Sequence, residues 1–318
     1  MPPATVEQIL HRLASFWEER GSGLLPPCEL PVGFGLAAPE VFLSLFDGRA
    51  RTTHQLVAVH RPVDARYGRS SLRMTRHLRF QLVRQPVSAG VRHEVLDSFR
   101  AAGFELDRRD VRFVEGTTSR PEIGVRGRHQ RVLIDGLPVA RMVFVERAAG
   151  VRLPLSCLEV SYGIERLASV QQGHADLFRI DWGGGHATAR SEAEGSSAWM
   201  EEERSRYLLE VADVELLRSQ LESFDQQASR CLEAGLVLPA YESALRSLQV
   251  LEVLKLRSLP LLADHDLLFG RIRRRVERCV QLRARRQGLD PDTRSGAHAL
   301  GVADDPDDRQ LELTAEER

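Results

Sequence analysis

The chain is almost without lysine. Of its 44 lysine and arginine residues, Lys255 is the one lysine and all the others are arginine. No GxxxxGK[ST] phosphate loop exists, and Schiff-base chemistry would fall on Lys255, which sits among leucines in a helical pattern. Cysteine is scarce too. Cys28, Cys157, Cys231 and Cys279 lie far apart and form no CxxC, which argues against a structural zinc site and implies no disulfide framework. The ten histidines show no HExxH spacing. No apolar run approaches the ~18 to 20 residues of a membrane span. Met1-Pro2-Pro3-Ala4 lacks the charged start and apolar run of a signal peptide. These absences read as a reduced, cytoplasmic protein with no membrane partner. The net charge of −1 excludes a globally basic nucleic-acid binder, though not a local basic face.

What is present is enough to fold. With 318 residues, 42% hydrophobic and 28% charged, the chain can build one large core or two ordinary ones. Its pattern predicts an α+β region over 1–182 and a Gly/Ser-rich linker or loop over 183–198. A helical domain over 199–288 follows, then an acidic, disordered tail over 289–318. Ile9, Leu13, Phe16 and Trp17 fall on one helical face. Strands are expected near 54–60, 78–84, 111–115, 131–145 and 158–162, with helices over 91–102 and 164–171. Asp135-Gly136 between two alternating runs is the strongest hairpin signal. Hairpins with few crossover helices favour an antiparallel sheet. In the helix after Asp266, Arg271, Arg274, Arg275 and Arg278 share one face, and Ile272, Val276, Cys279 and Val280 the other.

Three segments carry a family resemblance. They are His60-Arg61-Pro62-Val63-Asp64-Ala65-Arg66-Tyr67-Gly68 with Arg79-Phe80-Gln81-Leu82-Val83; Asp110 to Glu115; and Leu158-Glu159-Val160-Ser161-Tyr162-Gly163-Ile164-Glu165-Arg166-Leu167-Ala168. In order and at this spacing they resemble the alpha subunit of bacterial glycyl-tRNA synthetase, a class II aminoacyl-tRNA synthetase chain. The resemblance runs from about residue 6 to 290. It implies a class II antiparallel sheet with flanking helices, followed by a C-terminal helical domain. It also implies ATP-dependent activation of glycine or another amino acid, ATP and Mg²⁺ as cofactors, tRNA brought by a separate beta subunit, and a homodimer of alpha chains.

The chemistry makes sense of the arginines. Joining a carboxylate to the α-phosphate of ATP needs no protein nucleophile; it needs two anions held in line and their charge neutralised. Forked guanidinium groups suit that task. By resemblance, Arg61 meets the α-phosphate and the amino-acid carboxylate, Phe80 stacks on adenine, and Arg166 holds the γ-phosphate at a helix start. Glu159 holds Mg²⁺ or orients ATP.

The substrate side departs from the family. Leu36, Ala37 and Ala38 follow Gly35, where the family has polar residues. Arg69 follows Gly68 in place of an acid. His129 stands for a glycine, and Arg141 and Arg147 replace small or amide side chains. Strand alternation places Arg141, Val143, Val145 and Arg147 on one face. If that face looks into the cleft, Glu115 or Glu159 is left to accept a substrate ammonium. The expectation is weak activation of glycine and preference for a larger or more acidic carboxylate. Three functions stay open: an ordinary alpha subunit; a paralogue activating another carboxylate or using a non-tRNA acceptor; and a non-catalytic relative that binds RNA or a partner.

Overall fold

A computed structural model describes residues 3–183, 197–258 and 265–288. The expected tail over 289–318, and the expected linker over 183–198 apart from its ends, lie outside the described residues.

The N-terminal helix α1 (Val6–Glu18) opens with a capping box in which Thr5 and Gln8 each bond the other's backbone N–H. A short strand β1 (Gly23–Leu24) and a short helix α2 (Pro39–Phe42) lead to the long hairpin β2 (Arg51–His60) and β3 (Arg76–Gln85). Helix α3 (Val91–Ala101) precedes four consecutive strands: β4 (Val111–Arg120), β5 (Val125–Ile134), β6 (Leu137–Ala148) and β7 (Val151–Gly163). β7 runs directly into α4 (Ile164–Gln172). The chain then gives α5 (Ser197–Arg206), α6 (Val214–Glu233), α7 (Val237–Ser258) and α8 (His265–Arg286).

The seven strands form one sheet in the order β1-β2-β3-β7-β6-β5-β4. Every pairing is antiparallel except that of β1 with β2. The fold is thus the expected antiparallel α+β arrangement followed by helices. Asp135 and Gly136 turn the β5–β6 hairpin with φ of 51° and 80°, the left-handed pair that a tight two-residue turn requires.

Alternation along the central strands sends side chains to two cores. Phe80, Leu82, Met142, Leu158, Val160 and Tyr162 pack under α1, α3 and α4, with Trp17 and Phe99. Val57, Val59, Val83, Val143 and Val145 point the other way, into a core that continues through Phe42 to Tyr241, Leu245, Val276 and Cys279 of the C-terminal helices. The helical region therefore shares its core with the sheet. Tyr241 is fully buried, stacks on Phe42 with ring centroids 5.1 Å apart, and donates its hydroxyl to the Ala37 carbonyl at 2.9 Å. On α8, Ile272, Val276, Cys279 and Val280 are buried as expected. Two arginines of its polar face are engaged by α6: Arg275 bonds Asp225 with both nitrogens, and Arg271 meets Glu222 and Asp225.

A continuous core predicts cooperative unfolding. Tyr241→Ala removes a buried ring and its hydrogen bond, and should cost about 4 kcal/mol. In urea, with Trp182 and Trp199 replaced by phenylalanine, the fluorescence of Trp17, on the far side of the sheet, and helical circular dichroism should shift to the same lower midpoint. Separate transitions would show that the helices fold apart from the sheet.

Candidate active site

The face of the sheet that carries the C-terminal helices also carries a cleft, and its walls are arginine. One lobe, of about 200 Å³, is lined by Arg61, Arg79, Arg120, Arg131, Arg141 and Arg166, with Thr118, Glu159, Ser161, Phe34, Gly35 and Val143 among the other residues. A second lobe of about 210 Å³ is lined by Asp64, Leu72, Arg73, Met74, His77, Glu165 and Leu177. Arg61, Arg79 and Arg166 belong to both lobes.

Each arginine is placed by backbone structure. Arg61 follows β2, where its N–H donates to the Thr75 carbonyl at 2.7 Å and its Nε to the Gly33 carbonyl at 3.4 Å. Arg79 lies opposite Gly163 in the β3–β7 ladder, and a Cβ on Gly163 would come within 3.0 Å of its guanidinium. Arg166, in the first turn of α4, donates to the Pro138 carbonyl at 3.0 Å. Arg131 and Arg141 stand directly opposite each other on β5 and β6. Arg120 ends β4 with its guanidinium 5.0 Å over the Phe34 ring.

None of these six arginines makes an ion pair with a carboxylate among the described residues. Elsewhere arginines are commonly paired: Arg84 with Glu94 at 2.6 Å, Arg109 with Asp135 at 2.7 Å, Arg275 with Asp225 at 2.9 Å. The electrostatic consequence is visible in the titrating groups. Burial and the neighbouring Arg61 and Arg166 push Arg79 down to about 10. Burial and the charges of Arg79, Arg61 and Arg166 push His77 down to about 2, so it stays neutral, and its Nε2 has no partner. A cleft of unpaired guanidiniums is an anion-binding surface.

Glu159 is the one carboxylate of the first lobe. It is 6% exposed, and burial raises its pKa. Gln81 donates to it at 2.7 Å while accepting from Gln55 at 2.7 Å. Gly35 makes this relay possible, because a Cβ there would sit 2.7 Å from the Gln81 amide. Among the described residues no group of three His, Cys, Asp or Glu could hold a metal ion.

Arg61, Arg166, Glu159 and Arg141 thus line one cleft. Phe80 does not: it is 3% exposed on the opposite face of β3, stacked on His54 and edge-on to Tyr162. The strand's ring that does face the cleft is His77, three residues earlier and so on the opposite face of the pleat. His129 stands behind Arg141, its Nδ1 2.9 Å from the Arg141 Nη2 and 3.0 Å from Thr118 Oγ1. Glu115 is exposed near the β4 edge, where it accepts from Gln130. Arg147 is exposed beyond a bulge between Val145 and Arg147, which breaks the alternation that would have turned it inward.

Sequence reasoning missed Arg79, Arg120, His77 and Glu201. Glu201, 2% exposed on α5, accepts from the Thr75 N–H at 2.6 Å and hydroxyl at 2.8 Å, and so pins the segment whose carbonyl holds Arg61. Its local partner is Arg204, an ordinary helical pair at 3.0 Å, whereas its contact with Thr75 spans 126 positions of sequence and leaves no local mark.

Glu165, buried beside the shared arginines, accepts from the Leu78 N–H at 2.7 Å, yet burial raises it to about 7. The folded state therefore holds this proton more tightly than the unfolded chain. Its contribution is complete below the unfolded pKa of about 4.5 and fades as pH rises through about 7. Denaturation midpoints measured from pH 4.5 to 7.5 should show this decline, and Glu165→Gln should flatten it. An unchanged slope in the variant would assign the decline elsewhere.

Comparison with known proteins bears on this cleft. Residues 6–287 match the family described as glycyl-tRNA synthetase alpha subunit. The glycine--tRNA ligase, chloroplastic/mitochondrial 2, of Arabidopsis thaliana is 28% identical over 303 residues, which are 95% of this chain and 27% of that protein. The chain thus spans about a quarter of the length of this relative. Two pyrrolysyl-tRNA synthetase structures from Desulfitobacterium hafniense superpose with TM-scores of 0.39 and 0.40 at 14% and 13% identity, covering 59% and 58% of this chain and 75% of each of theirs. The match across nearly the whole described chain makes it a member of the glycyl-tRNA synthetase alpha subunit family.

Proposed function

We propose that this chain is the catalytic chain of an ATP-dependent aminoacyl-tRNA ligase. It joins the carboxylate of an amino acid to the α-phosphate of ATP, releases pyrophosphate, and passes the acyl group to tRNA. The observation that carries this reading is the two-lobed cleft with three unpaired arginines at its junction, in a chain of this family.

The lobes divide by chemistry. The second lobe is mostly charged, with Asp64, Arg73 and Glu165 in its walls, but Leu72, Met74 and Leu177 give it some apolar surface and neutral His77 an unpartnered ring nitrogen, which suit a nucleotide base. The lobe with Thr118, Arg120, Arg131, Arg141 and Glu159 suits the acid. Arg61, Arg79 and Arg166 then meet the phosphates between them. ATP supplies the activated phosphorus and the leaving group. The chain holds both anions in line and neutralises charge that develops on phosphate oxygens, with no nucleophile and no proton relay of its own. These guanidiniums fit the nucleotide. The residues do not fit a protein-built magnesium site: Glu159 is alone in its lobe and already bonded to Gln81.

Membership as an alpha subunit supports a separate beta chain that brings tRNA, pairing of two alpha chains, and a cytoplasmic place of work. Tyr207, Val211 and Leu216, all more than half exposed around the start of α6, supply apolar surface for a protein contact. No helix among the described residues is long and apolar enough to cross a membrane.

ATP–pyrophosphate exchange tests the reading. Arg166→Ala should weaken ATP binding, measured by titration calorimetry, by about 2 kcal/mol, the worth of a charge-assisted phosphate contact, and should lower exchange at least in proportion. Unchanged affinity and exchange would leave Arg166 with only its Pro138 bond.

A further inference from the structure

The acid lobe holds more positive charge than a single carboxylate can use. With Arg61, Arg79 and Arg166 at the phosphate junction, Arg120, Arg131 and Arg141 remain on the acid side. Arg131 and Arg141 face each other across the β5–β6 ladder, an arrangement that costs stability unless an anion sits between or beside the pair. Arg141 is oriented as if for a ligand. Its Nη2 donates to Thr118 Oγ1 at 2.9 Å and lies 2.9 Å from His129 Nδ1, while its buried Nε has no partner at all. Burial and Arg141 push the His129 pKa down, so this imidazole accepts from Arg141 instead of repelling it.

Acceptors for an ammonium group are few. Thr118 Oγ1 is committed to Arg141 and His129, and Glu159 gives one oxygen to Gln81. The charged and titratable groups facing this lobe from β4, β5, β6 and β7 are three arginines and one carboxylate, with His129 behind them. Arg131 is exposed to water, but Arg120 and Arg141 are part-buried, and a glycine whose one carboxylate is held at the phosphate junction would leave them without a counter-charge, a costly arrangement for the bound state.

We infer that the acid activated here carries a second carboxylate: a short dicarboxylic amino acid or dicarboxylic acid, with one carboxylate at the phosphate junction and the other on Arg120 and Arg141. Forked guanidiniums match carboxylates in a two-point geometry that an apolar side chain cannot use. The lobe, about 200 Å³, has room for a short dicarboxylic acid. His129 is a positioning residue, acting through Arg141. The inference rests on the proposed activation chemistry for its reaction, but its binding claim stands by itself.

The test is exchange on the full chain with glycine, alanine, L-aspartate, L-glutamate, malonate and succinate. Calorimetric binding of ATP and of each acid is measured in parallel, with sulfate at equal ionic strength as a control. At least one dicarboxylate should support exchange ten-fold or more above glycine and alanine, and should bind where sulfate does not. Arg141→Gln should cut that preference at least ten-fold, and Arg120→Gln provides the same reading if the first variant does not fold. His129→Asn, which keeps an acceptor for Arg141, should retain more of the preference than His129→Leu. Exchange with glycine and none with dicarboxylates would overturn the inference, as would sulfate binding as tightly as any dicarboxylate. Failure to bind ATP would overturn the activation chemistry instead, and the acid-binding comparison would still decide the substrate class. ATP binding without exchange would leave that same comparison as the deciding measurement.

Discussion

Like charges brought within a few ångströms in a poorly solvated cleft repel one another by kilocalories, and everything around the six arginines answers to that repulsion. Among the described residues no carboxylate is brought up to neutralise them by contact. They are instead mounted on regular backbone: β3, β5 and β6, the first turn of α4, the residue after β2 and the end of β4. Burial and the charges of Arg61 and Arg166 depress Arg79 despite the opposing pull of Glu165 and Glu159. A cleft built this way is organised before its ligand arrives, so little ordering cost remains at binding.

The two cores divide the labour. The core under α1, α3 and α4 holds the back of the sheet flat against helices, and Phe80 and Tyr162 belong to it. The core on the other side seats α7 and α8 on the same face as the cleft, with Tyr241 reaching the Ala37 carbonyl just past the Phe34–Leu36 wall. Residues more than 200 positions from Ala37 thereby fix one side of the candidate site. Glu201 fixes another, through Thr75, at the base of the β2–β3 connection.

Much of the fold was legible in the chain. Period-two runs marked β2, β3, β6 and β7, and Asp135-Gly136 marked their neighbouring hairpin. The outer strands were read too short: β4 runs on through Thr117 to Arg120, and β5 begins at Val125, because Thr-, Arg- and Gly-rich segments carry no apolar alternation. Those overlooked residues supply Thr118 and Arg120 to the cleft. Arg61, Glu159 and Arg166 were legible through motif resemblance, whereas Phe80 was assigned to the wrong face: a motif fixes a strand but not which side of its pleat meets the ligand. Arg147 was lost to a bulge, which no count of alternate positions reveals. Glu201 and the His129–Arg141 contact depend on pairings far apart in sequence, and only the folded chain brings them together.

The unneutralised cleft also bears on what the word stability means for this protein. Any anion that enters binds the folded state and not the unfolded one, and mass action then adds its binding energy to the fold. A nucleotide or a fitting dicarboxylate in the buffer would make the molecule look sturdier than it is in chloride alone, and high ionic strength would relieve part of the same repulsion by screening.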